Sequence, residues 1–122
     1  ISVCGGGETM KKIEIPIYGG YLELYDTPDE LTIQHPEQNF ECWGAGFTAG
    51  IASKGCLTIV MQLNLRDANT VTHESIHAAF DILDFSGVPI NYDNNETVCY
   101  LAGWIAEQVE SYYRELANEQ IS

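Results

Sequence analysis

Thr72-His73-Glu74-Ser75-Ile76-His77 reads H-E-x-x-H, and the remainder of the chain makes most sense as scaffolding around it. Residues i and i+4 of a helix share a face, so His73 and His77 point two imidazoles the same way, at one metal ion. Glu74 sits beside them, placed to touch a water on that metal rather than the metal itself. Two fixed nitrogen ligands, a carboxylate base and open coordination positions are what a zinc hydrolase needs. The chain has three histidines, and two fall in this motif. The competing reading is an exposed helix on which two histidines happen to flank a glutamate.

The sequence on either side of the motif supplies its frame. Leu57, Ile59, Met61, Leu63 and Leu65 alternate with Thr58, Val60, Gln62 and Asn64, the period of a strand, and the lack of charge on both faces makes it a central one. Arg66-Asp67-Ala68-Asn69 turns into the motif helix, with Asp67 or Asn69 as its cap. Ala78 and Ala79 allow close packing, Phe80, Ile82 and Leu83 continue the helix, and Gly87 and Pro89 end it. A second helix is expected from Asn95 to Ala117, on which Val98, Leu101, Ala102, Ile105, Val109, Tyr112 and Leu116 form one apolar stripe. Glu107, Gln108, Glu110, Arg114 and Glu115 make its wet side.

Eighteen residues separate His77 from Glu96. H-E-x-x-H followed by this spacing and Glu resembles the gluzincin branch of the zinc metallopeptidases. The chain is more similar in size to the single-domain minigluzincins and to small HExxH proteins encoded by phages and prophages. The resemblance covers Leu57 to the C-terminal helix. It implies a zincin-like fold, one zinc ion per chain held by His73, His77 and Glu96, and Glu74 as general base, in the cytoplasm of a bacterial or phage-infected cell. Glu96 also has a local reading. Asp93-Asn94-Asn95-Glu96 fits a capping box with Asp93 as N-cap, which needs no metal. Tyr100 falls one helical turn after Glu96, where thermolysin-type gluzincins carry an Asp that orients a zinc histidine. A phenol there can stabilise an oxyanion or donate a proton, or simply pack. Tyr92 is a rival for that role, and Asp81 can orient an imidazole or face water.

The N-terminal half is read from pattern alone. Residues 1–9 look like an extension or a cloning scar, and residues 10–122 like one domain. Residues 12–26 read as a hairpin, with Ile13, Ile15 and Ile17 on one strand, Leu22 and Leu24 on the other, and Gly19-Gly20 turning between them. Thr27-Pro28-Asp29 breaks the chain, Leu31–Gln34 is a short strand, and His35 in the loop before Pro36 is a surface histidine or, as the alternative, one that visits a metal. Trp43-Gly44-Ala45-Gly46-Phe47 offers small residues that let another backbone approach, or a turn with an aromatic plug. In zincins a strand in this position binds substrate by strand addition, which makes these five residues the candidate substrate strand. Gly44-Ala45 echoes the start of the substrate motif of the aminopeptidase gluzincins, but the Glu of that motif is absent.

Composition bounds the rest. Five Lys and Arg against eighteen Asp and Glu give a formal charge of −13, which repels phosphate backbones and argues against nucleic acid as a partner. Basic substrates are favoured, though charge of this kind also serves solubility. No apolar run is long enough to cross a membrane, and no signal peptide is visible. Cys4, Cys42, Cys56 and Cys99 form no C-x-x-C pair; they read as free buried thiols, with disulfides the alternative that an even number allows. The expected architecture is therefore α+β: a small, twisted, mostly antiparallel sheet of three to five strands packed on an active-site helix and a C-terminal helix. The expected activity is zinc-dependent hydrolysis of a peptide or protein substrate. The alternative is a zinc-stabilised binding module, or a latent form, without turnover.

Overall fold

The computed structural model describes residues 10–40 and 44–121. Within them the chain is α+β, with a four-stranded mixed sheet and three α-helices. The strands are β1 (Lys11–Glu14), β2 (Tyr21–Tyr25), β3 (Gly46–Ser53) and β4 (Cys56–Leu63). The helices are α1 (Pro28–Gln34), α2 (Ala68–Phe85) and α3 (Asn95–Ile121). The sheet order is β1-β2-β4-β3. Its outer pairs are antiparallel, while β2 and β4 run parallel at its centre. The sheet is thus mixed, because the chain leaves β2 through α1 and enters β4 from the β3 hairpin rather than by a direct turn.

The uncharged alternating stretch is central, as its composition requires: β4 lies between β2 and β3. Leu22, Leu24, Leu57, Ile59, Met61 and Leu63 send their side chains to one face of the sheet. There they meet Ala78, Ala79, Ile82 and Leu83 of α2 and Leu101, Ile105, Val109, Tyr112 and Leu116 of α3. The apolar stripe read along α3 is the stripe that packs. Tyr113 reaches through this layer to bond two strands at once. Its hydroxyl donates to the Tyr25 carbonyl at 2.7 Å and accepts from the Leu63 N–H at 2.9 Å.

The opposite face is also covered. Tyr25, Leu31 and Val60 are buried there, with Met10, Phe40, Phe47, Ala49 and Ile51 packed against them. Here the sequence reading needs correction. Leu31–Gln34 is helical, because Thr27-Pro28-Asp29-Glu30 starts a helix: the Thr27 hydroxyl accepts from the Glu30 N–H and Pro28 occupies the first turn. His35 is not a surface residue. It is half-buried at the end of α1, with Nε2 2.8 Å from Glu23 Oε1. Glu23, between Leu22 and Leu24, is buried with it. β1 also ends earlier than the alternation suggests. Pro16 closes the ladder, and Ile17 sits almost fully exposed at φ 70° in the turn. Gly20 has no substitute: a Cβ there would lie 2.2 Å from the Leu57 carbonyl oxygen.

β3 was hidden in the sequence by its glycines and alanines, which are poor strand formers. It forms because Lys54 and Gly55, at φ 55° and 75°, make a two-residue hairpin turn that lays it back on β4. The helix boundaries are more local. Asp67 caps α2 by accepting from the Thr70 N–H, and hydrogen bonding from Thr70 holds its carboxyl below the ordinary aspartate range. Gly87, at φ 74°, takes the chain out of that helix.

Candidate metal centre

α2 packs against β3 and β4, burying Val71, Ser75, Ala78, Ala79 and Ile82 and leaving His73, Ile76, His77 and Phe80 outside. Helical spacing and this orientation bring the two motif histidines together. His73 Nε2 and His77 Nε2 are 3.2 Å apart, with ring planes at 76°. Two nitrogens on one tetrahedral zinc at the usual Zn–N length are about 3.3 Å apart. The observed separation is close to that value, and both rings are open to solvent.

Glu74 turns the other way. It is 7% exposed and wedged between α2 and the end of the sheet. Thr48, on β3, donates its hydroxyl to Glu74 Oε1 at 2.5 Å. The second oxygen, Oε2, faces the histidine side, 4.0 Å from His73 Nε2. Gly46 makes room for this carboxylate. A Cβ at Gly46 would lie 2.7 Å from Leu63 Cδ2 and 3.0 Å from Glu74 Cγ. Ala45, Gly46, Asn69, Thr70, His73 and Glu74 line a shallow depression of ≈ 300 Å³ beside the pair.

Asp81 completes the local electrostatics. Partial burial raises its carboxyl above the ordinary aspartate range; the charge of His77 opposes the rise and Asp84 adds to it. It lies toward β3, where a Cβ on Gly50 would be 4.0 Å from its Oδ2.

The other expected site residues are placed as follows. Glu96 is exposed in the first turn of α3. Among the described residues no three His, Cys, Asp or Glu side chains are grouped closely enough to hold a metal ion, so Glu96 is not drawn in with the histidines. The capping box is not how its helix begins either. Asn91 accepts from the Asn94 N–H and opens a 3-10 turn, Tyr92–Asn94, that runs directly into α3. Tyr100 and Tyr92 are both exposed, 76% and 88%.

Of the candidate substrate strand, Trp43 lies outside the described residues. Gly44 and Ala45 lead into β3, with the Ala45 carbonyl accepting from the Asn64 and Leu65 N–H groups. Gly46 lies against the Glu74 side chain. Phe47 points to the far face, 5.2 Å from the Phe40 ring, so its side chain belongs to the second core. Thr48 was missed by sequence reading. The signal was present: Gly46, Thr48 and Gly50 recur at every second position and place small side chains on the helix side of one strand.

β3 is the free edge of the sheet among the described residues. Ala45, Phe47 and every second residue up to Ser53 use their backbone groups on β4. The backbone groups of Gly46, Thr48, Gly50 and Ala52 therefore face outward. No helix among the described residues is long and apolar enough to cross a membrane. No protein-family model, curated protein or solved structure matches the chain.

Proposed function

We propose that the chain is a zinc-dependent peptide hydrolase of zincin-like type, with His73 and His77 as metal ligands and Glu74 as general base. The observation that carries this reading is the pair of imidazole nitrogens 3.2 Å apart beside a buried glutamate with one oxygen turned toward them. A zinc ion held there would supply Lewis-acid polarisation and an acidified water. The remaining work belongs to the chain. Glu74 takes a proton at Oε2 and returns it to the leaving amine. The outward backbone groups of Gly46, Thr48 and Gly50 bind an extended peptide by adding a strand to the edge. The resemblance to gluzincins nominates Glu96 as third ligand and leaves Tyr100 as a candidate donor to the oxyanion.

Metal content measured by elemental mass spectrometry tests the centre. About one zinc per chain in the wild type, lost in His73→Ala and in Glu96→Ala, is the expected result. Zinc lost in His73→Ala but kept in Glu96→Ala assigns the third position to another group. Absence of zinc from the wild type after reconstitution sinks the hydrolase. A binding module without turnover is the second reading, favoured by the shallowness of the depression beside the histidines. It predicts zinc with no cleavage of any peptide, and Glu74→Gln without effect.

A further inference from the structure

The two oxygens of Glu74 are divided between two neighbours. Oε1 accepts the Thr48 hydroxyl at 2.5 Å, and Oε2 is left on the side of His73. A free carboxylate on a two-carbon stem would rotate about its last bond and present either oxygen, or neither, to the histidine pair. Here the Thr48 hydroxyl holds one oxygen, in the space that Gly46, with no side chain, leaves beside the Glu74 stem. The same Thr48 turns its backbone groups to the free edge of β3, where an added strand would bond. One residue of the edge strand thus touches the carboxylate through its side chain and an incoming backbone through its main chain.

We propose that Thr48 is the positioning residue of Glu74. It fixes the carboxylate so that Oε2 faces the metal pair, and it ties that orientation to the strand on which substrate docks. The inference rests on the hydrolase reading above and adds to it a residue outside the H-E-x-x-H motif.

Thr48→Val keeps the shape and removes the hydroxyl; Thr48→Ser keeps the hydroxyl and removes a methyl. With zinc-loaded protein and a peptide it cleaves, Thr48→Val is expected to lose about 10- to 100-fold in kcat, the scale of a misplaced catalytic group. KM should stay within about twofold, and Thr48→Ser should recover most of the loss. Zinc affinity, read by chelator competition, should match the wild type in both variants.

A second measurement needs no activity. In urea unfolding of metal-free protein, Thr48→Val should lower the midpoint clearly in the wild-type background. In a Glu74→Ala background it should lower the midpoint by less than half as much. Wild-type kcat in Thr48→Val overturns the proposal, as does a loss of kcat that follows a loss of zinc affinity, or equal midpoint shifts in both backgrounds. A wild-type protein that binds no zinc and cleaves nothing overturns the hydrolase itself. Any coupling between Thr48 and Glu74 would then be a contact of the fold alone.

Discussion

Glu23 and Glu74 are both buried, at 8% and 7% exposure, on opposite faces of the same sheet, and each has a histidine beside it. The molecule uses them differently. On the α1 face, Glu23 Oε1 accepts from the Tyr25 hydroxyl at 2.6 Å and meets His35 Nε2 at 2.8 Å. Lys12 stands 4.0 Å from its other oxygen. His35 is itself enclosed by Tyr25 and Phe40, each ring edge-on to it. On the α2 face, Glu74 has one oxygen held by Thr48 and one turned to two exposed imidazoles. Desolvating a carboxylate is costly unless its lone pairs find donors. Glu23 gives Oε1 to two partners and fastens α1 to the sheet. Glu74 gives Oε1 to one partner, and each acid has its other oxygen about 4.0 Å from a nitrogen. A buried acid beside a histidine is therefore not by itself a mark of chemistry; the second, exposed imidazole and the open side are what separate the two.

Exchanging each acid for its amide breaks this comparison most directly. Glu74→Gln should cut peptide hydrolysis by about 10²- to 10⁴-fold, the usual contribution of a general base. It should keep zinc and fold normally. Glu23→Gln should leave kcat/KM within about threefold and cost about 1–3 kcal/mol of stability, because one of its donors loses a charged acceptor. Steady-state kinetics and urea unfolding on the same two proteins read both halves. The two faces would prove alike if each variant lost both activity and stability to a similar degree.

The histidines divide in the same way. Zinc at about 1,000 times its dissociation constant stabilises a protein that binds it only when folded by about 4 kcal/mol. The wild type should gain on that scale in thermal or urea unfolding, and so should His35→Ala, from a lower starting point. His73→Ala should gain nothing. His35→Ala that also fails to respond would place the metal on the α1 face.

Tyr113 links the α2/α3 core to the strand that carries the Glu23 pair. Its hydroxyl bonds the carbonyl of Tyr25, whose own phenol holds Glu23. Burial pushes the Tyr113 phenol from 10.0 up to about 12, partly offset by the Leu63 N–H it accepts. Because the folded state holds this proton more tightly than the unfolded chain, the stabilisation is complete below pH 10. It is lost as pH rises from about 10 through 12, and the loss amounts to about 2–3 kcal/mol. Unfolding free energies measured across that window should show the fall in the wild type. In Tyr113→Phe that component should be missing, on a protein already weakened by an unpaired Leu63 N–H.

These contrasts also explain what could be read from the chain before its fold was seen. The juxtaposed histidines, the central strand, both long helices and the caps at Asp67 and Gly87 follow from local spacing, and local spacing is what a sequence displays. β3 did not show itself, because Gly46, Ala49, Gly50 and Ala52 have little strand preference of their own and are held by pairing with β4. Nor did α1, because Thr27-Pro28 serves equally as a chain break and as a helix start. The Glu23–His35 pair and the Thr48–Glu74 bond join residues 12 and 26 positions apart, and no periodicity reports such contacts. Glu96 shows the opposite case. Its spacing from His77 is conspicuous, yet the structure leaves its carboxylate exposed at the start of α3.

The smallest effect concerns two separations of equal length. Lys12 Nζ stands 4.0 Å from Glu23 Oε2, as His73 Nε2 does from Glu74 Oε2. Geometry alone would rank them together. Lys12 is half-exposed, and its ammonium also lies over the Tyr21 ring, 4.3 Å from the centroid. Water and salt screen it, and an ion pair of this kind is worth about 0–1 kcal/mol. Lys12→Met should therefore change unfolding free energy by less than about 1 kcal/mol, and raising salt should shrink even that. It should leave zinc binding and hydrolysis as they are. A larger loss, insensitive to salt, would mean that Glu23 needs its third partner and that the α1 face is nearer to failing than its two short hydrogen bonds suggest. The His73–Glu74 separation carries a different meaning at the same length, because the space beside it is open to a third body and the space beside Glu23 is closed by Tyr25, His35 and Phe40.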